Sequence, residues 1–203
     1  MNWFQTYTGR VIDLDKHPKH WPIDIADIAH ALSSICRWSG HVRNFFSVAQ
    51  HSFTMACQID HKKWPKESMA LLLHDASEAY LNDVISPLKR RLREGGRPSR
   101  YDVLEKKCQE AIAKTFGLPE DAFGTEQVKH YDMRMLMTEY RDLIPPLRDP
   151  ESLPIDITDW AKHMVEPFER KIEPMDSDYA ESMFLTKFLE LAKLMKEKQG
   201  KTV

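Results

Sequence analysis

Apolar positions recur along this chain at intervals of three and four residues, the spacing of one face of an α-helix, and β-branched alternation is sparse. Residues 24–36 put Ile25, Ile28, Ala29 and Leu32 on one stripe, with Asp24 placed as the N-cap. Ser47 and Gln50 form a capping-box pattern ahead of a helix over 47–61, whose stripe is Val48, His51, Met55 and Ile59. Pro65 suits the first turn of a helix over 65–81, and Pro87 marks a loop or the start of a short helix near 86–93. The glycines of "REGGRPS" predict an exposed loop, after which Ser99 caps a long helix that stops at Gly117. A further helix over 125–143 ends ahead of Pro145 and Pro146. "PIDITDWAKHMVEPFERK" contains a shorter helix, and the last, over 177–198, gathers Met183, Phe184, Phe188, Leu191 and Leu194 on its apolar face. No sheet is predicted beyond a small hairpin between Trp3 and Leu14. The pattern therefore predicts an all-α fold of about six to eight helices in one domain.

Composition narrows the function classes. With 203 residues, 42% hydrophobic and 30% charged, the chain can bury a sizeable core. A net charge of −2 disfavours a broad surface for nucleic-acid polymers or membranes. No apolar run has membrane-spanning length, and the start "MNWFQTYTGR" lacks the layout of a signal peptide. Three scattered cysteines, Cys36, Cys57 and Cys108, predict reduced thiols and a cytoplasmic protein.

Four polar residues stand where the pattern calls for apolar ones. His51 lies on a core stripe, and His74–Asp75 interrupt "MALLLHDASEAY". Asp132 is flanked at helical spacing by Val128, Met135 and Leu136. Taken singly, each has an ordinary explanation as a satisfied core histidine, a cap or an ion-pair partner. Burying a lone carboxylate costs several kcal/mol, so two acids near two imidazoles call for a shared compensation. One divalent transition metal (Co, Mn, Zn, Fe or Ni) provides it, since mixed nitrogen and oxygen donors suit such an ion better than calcium. His74 and Asp75 lie about 100° apart on a helix and would have to converge on the ion from either side. His74 and Glu78, four residues apart, share a face.

His51, the pair His74–Asp75 and Asp132 together resemble the H…HD…D signature of the HD-domain phosphohydrolase superfamily, and most closely its bacterial 5′-deoxynucleotidases and phage dATP triphosphohydrolases. "HDASEAYLNDVISPLK" matches that family's pattern at His74, Asp75, Ser77, Glu78, Asp83, Pro87 and Lys89. "CRWSGHVRNFFSVAQHS" resembles its Arg-Trp motif at Arg37 and Trp38, and "VKHYD" the segment of the last aspartate, with Lys129 nearby. The resemblance covers about residues 24–143. It implies an HD-domain helical bundle and hydrolysis of a deoxynucleoside 5′-monophosphate or triphosphate.

On that resemblance His51, His74, Asp75 and Asp132 hold the metal, which lowers the pKa of water and offsets phosphate charge. Glu78 orients the water or shuttles a proton, and Asp83 positions the substrate or the leaving oxygen. Arg37, Lys89 and Lys129 bind phosphate, and Trp38 offers a face on which a base stacks. The partner is a small nucleotide, and family members often form homo-oligomers. Two other classes remain: a nucleotide-binding sensor without turnover, and a phosphodiesterase of signalling nucleotides.

Overall fold

The computed structural model describes residues 2–149 and 165–200. A two-stranded antiparallel hairpin opens the chain, β1 (Trp3–Gln5) pairing with β2 (Val11–Asp13). The helices follow: α1 (Ile25–Ser34), α2 (Val48–Ala56), α3 (Pro65–Leu73), α4 (Glu78–Leu81), α5 (Ser86–Leu92), α6 (Arg100–Thr115), α7 (Glu126–Leu143) and α8 (Ser177–Gln199). The described residues thus form a mainly α-helical bundle with one small sheet. The helix predicted within "PIDITDWAKHMVEPFERK" falls largely outside the described residues, and 165–171 are not helical.

The helix starts have local causes. The Asp24 carboxylate accepts the Ala26 amide, Thr125 caps α7 through the Val128 amide, and Asp176 caps α8 through the Tyr179 amide. Ser99 and Asp102 form a reciprocal capping box on α6. The same helix ends on Gly117 at φ 71°, with Leu118 N–H donating to the Ala113 carbonyl and Gly117 N–H to that of Lys114. That is a Schellman stop, for which glycine carries no steric penalty. The capping box predicted at α2 is only half formed. Ser47 accepts the Gln50 amide, but the Gln50 side chain reaches across to Glu173 and Met175 instead.

Helix α8 is the centre of the bundle, packing against α1, α2 and α3. Phe184 and Leu191 are fully buried there, against a core that includes Ile28, Leu32, Met55 and Leu71–Leu73. Met183 and Leu194, predicted on that face, are only half-buried; Ala180, Phe188 and Met195 complete it. Between α2 and α3 the Ser68 hydroxyl donates to the Ala56 carbonyl. The hairpin is tied down by Thr8, whose amide and hydroxyl both donate to the buried Asp27 of α1. All three cysteines are free thiols. No described helix is long and apolar enough to cross a membrane.

Candidate metal centre

The polar interruptions meet at one place, between α2, the end of α3 and the middle of α7. His51 is fully buried on α2, one turn from its N-terminus, and Asp132 lies midway along α7. The helix predicted over 65–81 is broken at His74. Beyond Leu73 the amides of Ala76, Glu78 and Ala79 donate to carbonyls three residues back, a tighter winding than an α-helix. His74 Nδ1–H donates to the Leu71 carbonyl at 2.9 Å, so its ring satisfies one of the acceptors the helix end leaves open. This local tightening answers the difficulty of two adjacent residues facing one point.

The donor atoms are close. His51 Nε2 and His74 Nε2 are 3.2 Å apart. Asp132 Oδ1 lies 3.4 Å from the first and 3.9 Å from the second, and Asp75 Oδ2 lies 3.6 Å and 3.1 Å away in turn. First-row ions hold such donors at about 2.0–2.2 Å, so neighbouring donors on one ion stand roughly 3.0–3.5 Å apart. His51, His74 and Asp132 form a group that can hold a metal ion, and Asp75 Oδ2, outside that group, lies beside both imidazole nitrogens.

The ring protons decide what that group wants. The Leu71 carbonyl can only accept, so His74 carries its proton on Nδ1. His51 Nδ1 makes a short hydrogen bond to Glu139 Oε1. Burial raises the pKa of Glu139, but Arg37 and His51 outweigh it and hold this acid below its ordinary value, as an acceptor. In their neutral forms both rings therefore aim bare Nε2 lone pairs at each other. A cation between them relieves the repulsion, as in metal sites where the remote imidazole N–H is held by carboxylate or carbonyl.

Charge points the same way. Burial opposes ionisation of Asp75 and Asp132, yet His74 and His51 hold both below the ordinary carboxylate range. Three ionised carboxylates, Asp75, Asp132 and Glu139, against the single guanidinium of Arg37 leave two negative charges for a divalent ion. Without one, a proton is the substitute. Burial and Arg37 lower the His51 pKa, but Glu139 and Asp132 raise it to about 9.

The remaining sequence candidates divide. Arg37 is at the centre: its Nη1–H donates to Asp75 at 3.2 Å and its Nε–H to Glu139 at 3.4 Å. Trp38 follows in a left-handed stretch, at φ 57° with Ser39 at φ 51°, and donates its indole N–H to Glu139 at 2.7 Å. Glu78 is buried, and its Oε2 meets no hydrogen-bonding group among the described residues. Burial, Asp75 and Asp83 push its pKa well up, toward the acid form. Asp83 is raised by burial and by Asp75, against Arg37 and Lys89. Lys89 is half-buried and paired with Glu105 at 2.6 Å. The Lys129 side chain is 62% exposed, and its ammonium is bonded to Glu126, one turn back on its own helix.

Glu139 is the residue that no motif announced, yet α7 carries its signal. Val128, Asp132, Met135 and Glu139 recur at four, three and four residues, one inward stripe, and Glu139 is fully buried on it. A groove of about 490 Å³, lined by Gln50, Phe53, Cys57, Phe168 and Met175 among others, shares no residue with the cluster.

No family model matches the chain. It is 35% identical over 196 residues to the protein YfdR of Escherichia coli K12, covering 97% of this chain and 99% of that one. A protein of Rhodobacter capsulatus is 35% identical over 125 residues, 58% of this chain and 59% of its own length.

Proposed function

This chain belongs to the YfdR family, and we propose that it is a metal-dependent phosphohydrolase of small 5′-nucleotides with an HD-type helical bundle. One observation carries the reading: two imidazole Nε2 atoms face each other at 3.2 Å, ringed by two carboxylates, with a buried acid and a guanidinium alongside. The resemblance of the H…HD…D residues and of Glu78, Asp83, Arg37 and Lys89 to HD-domain phosphohydrolases supports the choice of reaction.

His51, His74, Asp75 and Asp132 would hold the ion, which when bound supplies Lewis acidity and offsets phosphate charge. Arg37 makes no hydrogen bond through Nη2 among the described residues, which leaves that group for a phosphate oxygen. Hydrolysis joins a water oxygen to phosphorus and breaks the bond to the 5′ oxygen, which must take up a proton. Glu78, kept toward its acid form with Oε2 unpaired among the described residues, delivers it and is re-protonated by the proton that the attacking water gives up; Asp83 lies in the same field and sets the position of the sugar end. Asp132, with a side chain 46% exposed, marks the open side from which substrate enters.

The phosphate count follows from the cations. Arg37 and Lys89 are the two that act on both Glu78 and Asp83, and each is already paired with acids, while Lys129 is turned away. That cradle suits a deoxynucleoside 5′-monophosphate rather than a triphosphate. The test is a screen of deoxynucleoside and nucleoside mono- and triphosphates with Mn, Co, Zn and Mg. Orthophosphate released from a 5′-monophosphate is expected. Tripolyphosphate from dATP would replace the monophosphate reading, and nucleotide binding without release of any phosphate would replace the enzyme by a sensor.

A further inference from the structure

Glu139 divides its two oxygens between two parts of the site. Oε1 takes the Nδ1–H of His51, while Oε2 accepts from the Trp38 indole at 2.7 Å and from Arg37 Nε–H at 3.4 Å. We infer that Glu139 is a positioning residue that couples the ion-binding face of His51 to the loop Arg37–Gly40. It does so by holding one imidazole tautomer with one oxygen and two loop side chains with the other. The inference rests on the reading that the cluster binds a divalent cation, and on nothing about the reaction.

Three features argue for a specific role. Position 139 lies on the inward stripe of α7, where an apolar side chain would pack without any desolvation cost. A fully buried carboxylate is tolerated there because one imidazole and two loop side chains all donate to it. The tautomer matters chemically, since only Nδ1 protonation leaves Nε2 free to face His74 and the two aspartates.

The loop needs such an anchor. Trp38, Ser39 and Gly40 have φ of 57°, 51° and 82°, so two residues with a Cβ sit in a conformation that disfavours them. The ends of the loop are pinned by Arg37 N–H to the Phe46 carbonyl and by His41 N–H to the Trp38 carbonyl. Its side chains are held by Glu139 and Asp75, and Asp75 itself lies beside both imidazoles of the ion cluster. Occupancy of the cluster and the posture of Arg37 and Trp38 are therefore linked through shared carboxylates. Linkage of this kind is reciprocal, so a ligand on the loop and an ion in the cluster change each other's affinity by the same factor.

The test is Glu139→Gln, compared with wild type and with Thr138→Val. Glutamine offers one acceptor and one N–H₂ donor, so it cannot accept from both sides. Thr138→Val is the control for simple damage to α7, because it removes bonds to Arg134 and Phe168 without touching His51. Zn²⁺ affinity is measured by chelator competition without nucleotide, alongside nitrogen-15 spectra of histidine and indole groups in the zinc-loaded protein. The expected result is a loss of about 10–100-fold in zinc affinity for Glu139→Gln and near wild-type affinity for Thr138→Val. The Trp38 indole resonance should move from its hydrogen-bonded position in Glu139→Gln alone. Zinc held equally by wild type and a folded Glu139→Gln overturns the role of Glu139, whereas a wild type that binds no zinc removes the metal centre itself. Should Glu139→Gln not fold, the wild-type spectrum still decides: His51 bound to zinc through Nδ1 overturns the inference.

Discussion

His51 and His74 present Nε2 to Nε2 across 3.2 Å, each with its far nitrogen tied to a protein oxygen. As neutral rings they are a poor pair for each other and a good pair for a cation. Loss of one neighbouring oxygen should therefore be felt as lost metal affinity. Asp132→Ala is expected to weaken Mn²⁺ or Zn²⁺ binding by at least about 100-fold, as read by equilibrium dialysis. Unchanged binding would show that Asp132 is no ligand.

Without metal, His51 becomes the site of a pH effect. Its folded value of about 9 lies above the ordinary 6.5. Its contribution to stability is thus complete below about pH 6.5 and is lost as the pH rises through about 9, on the order of 3 kcal/mol. Urea melts in chelator at pH 6.5, 8 and 9.5 should show falling stability. Metal affinity should run the opposite way and rise over the same range, because the ion displaces that proton. A flat stability profile would count against the carboxylate cage around His51.

Glu78 should matter for turnover and little for metal. Glu78→Gln keeps the side chain's shape and removes its transferable proton. Release of phosphate is expected to fall by about 10²–10⁴-fold with metal content unchanged in elemental analysis. Full activity would take Glu78 out of the reaction.

Gln50 fixes the approach to α8. Its amide donates to the Glu173 carbonyl at 2.7 Å and accepts the Met175 N–H at 2.8 Å, with the residue 3% exposed. Gln50→Ala leaves both backbone groups without that partner and should cost about 3 kcal/mol, roughly 6–12 °C in Tm. A melting temperature within about 2 °C of wild type would show that this clamp is replaceable.

Lys129 provides the contrasting case. Its exposed pair with Glu126 is of the kind that contributes little. Lys129→Ala should leave kcat/KM within about twofold of wild type, and a large rise in KM would return this lysine to the phosphate site.

Much of this layout is written locally in the chain. Asp24, Ser99 and Gly117 announce helix ends because capping is a matter of a few neighbouring atoms, and each performs as the sequence predicts. The four proposed ligands stand out because charge on an apolar stripe is visible without a fold. The break after Leu73 is not, since "LLLHDASEAY" carries no glycine or proline to mark it, and the His74 ring bond to Leu71 is seen only in the structure. Glu139 escapes for the opposite reason. Its place on the inward stripe of α7 sets it apart from the exposed Glu126, but only three-dimensional convergence shows which groups it serves. Gln50 looks like half of a capping box, and its true partners lie more than a hundred residues away.

His74 and Asp75 share one peptide bond, in the tightly wound stretch that leads into α4. An ion held by both staples that stretch at two successive side chains, so release of the ion and unwinding of residues 74–79 become a single event. Deuterium uptake at the amides of Ala76, Glu78 and Ala79 should then slow sharply on loading, making this turn a built-in gauge of occupancy.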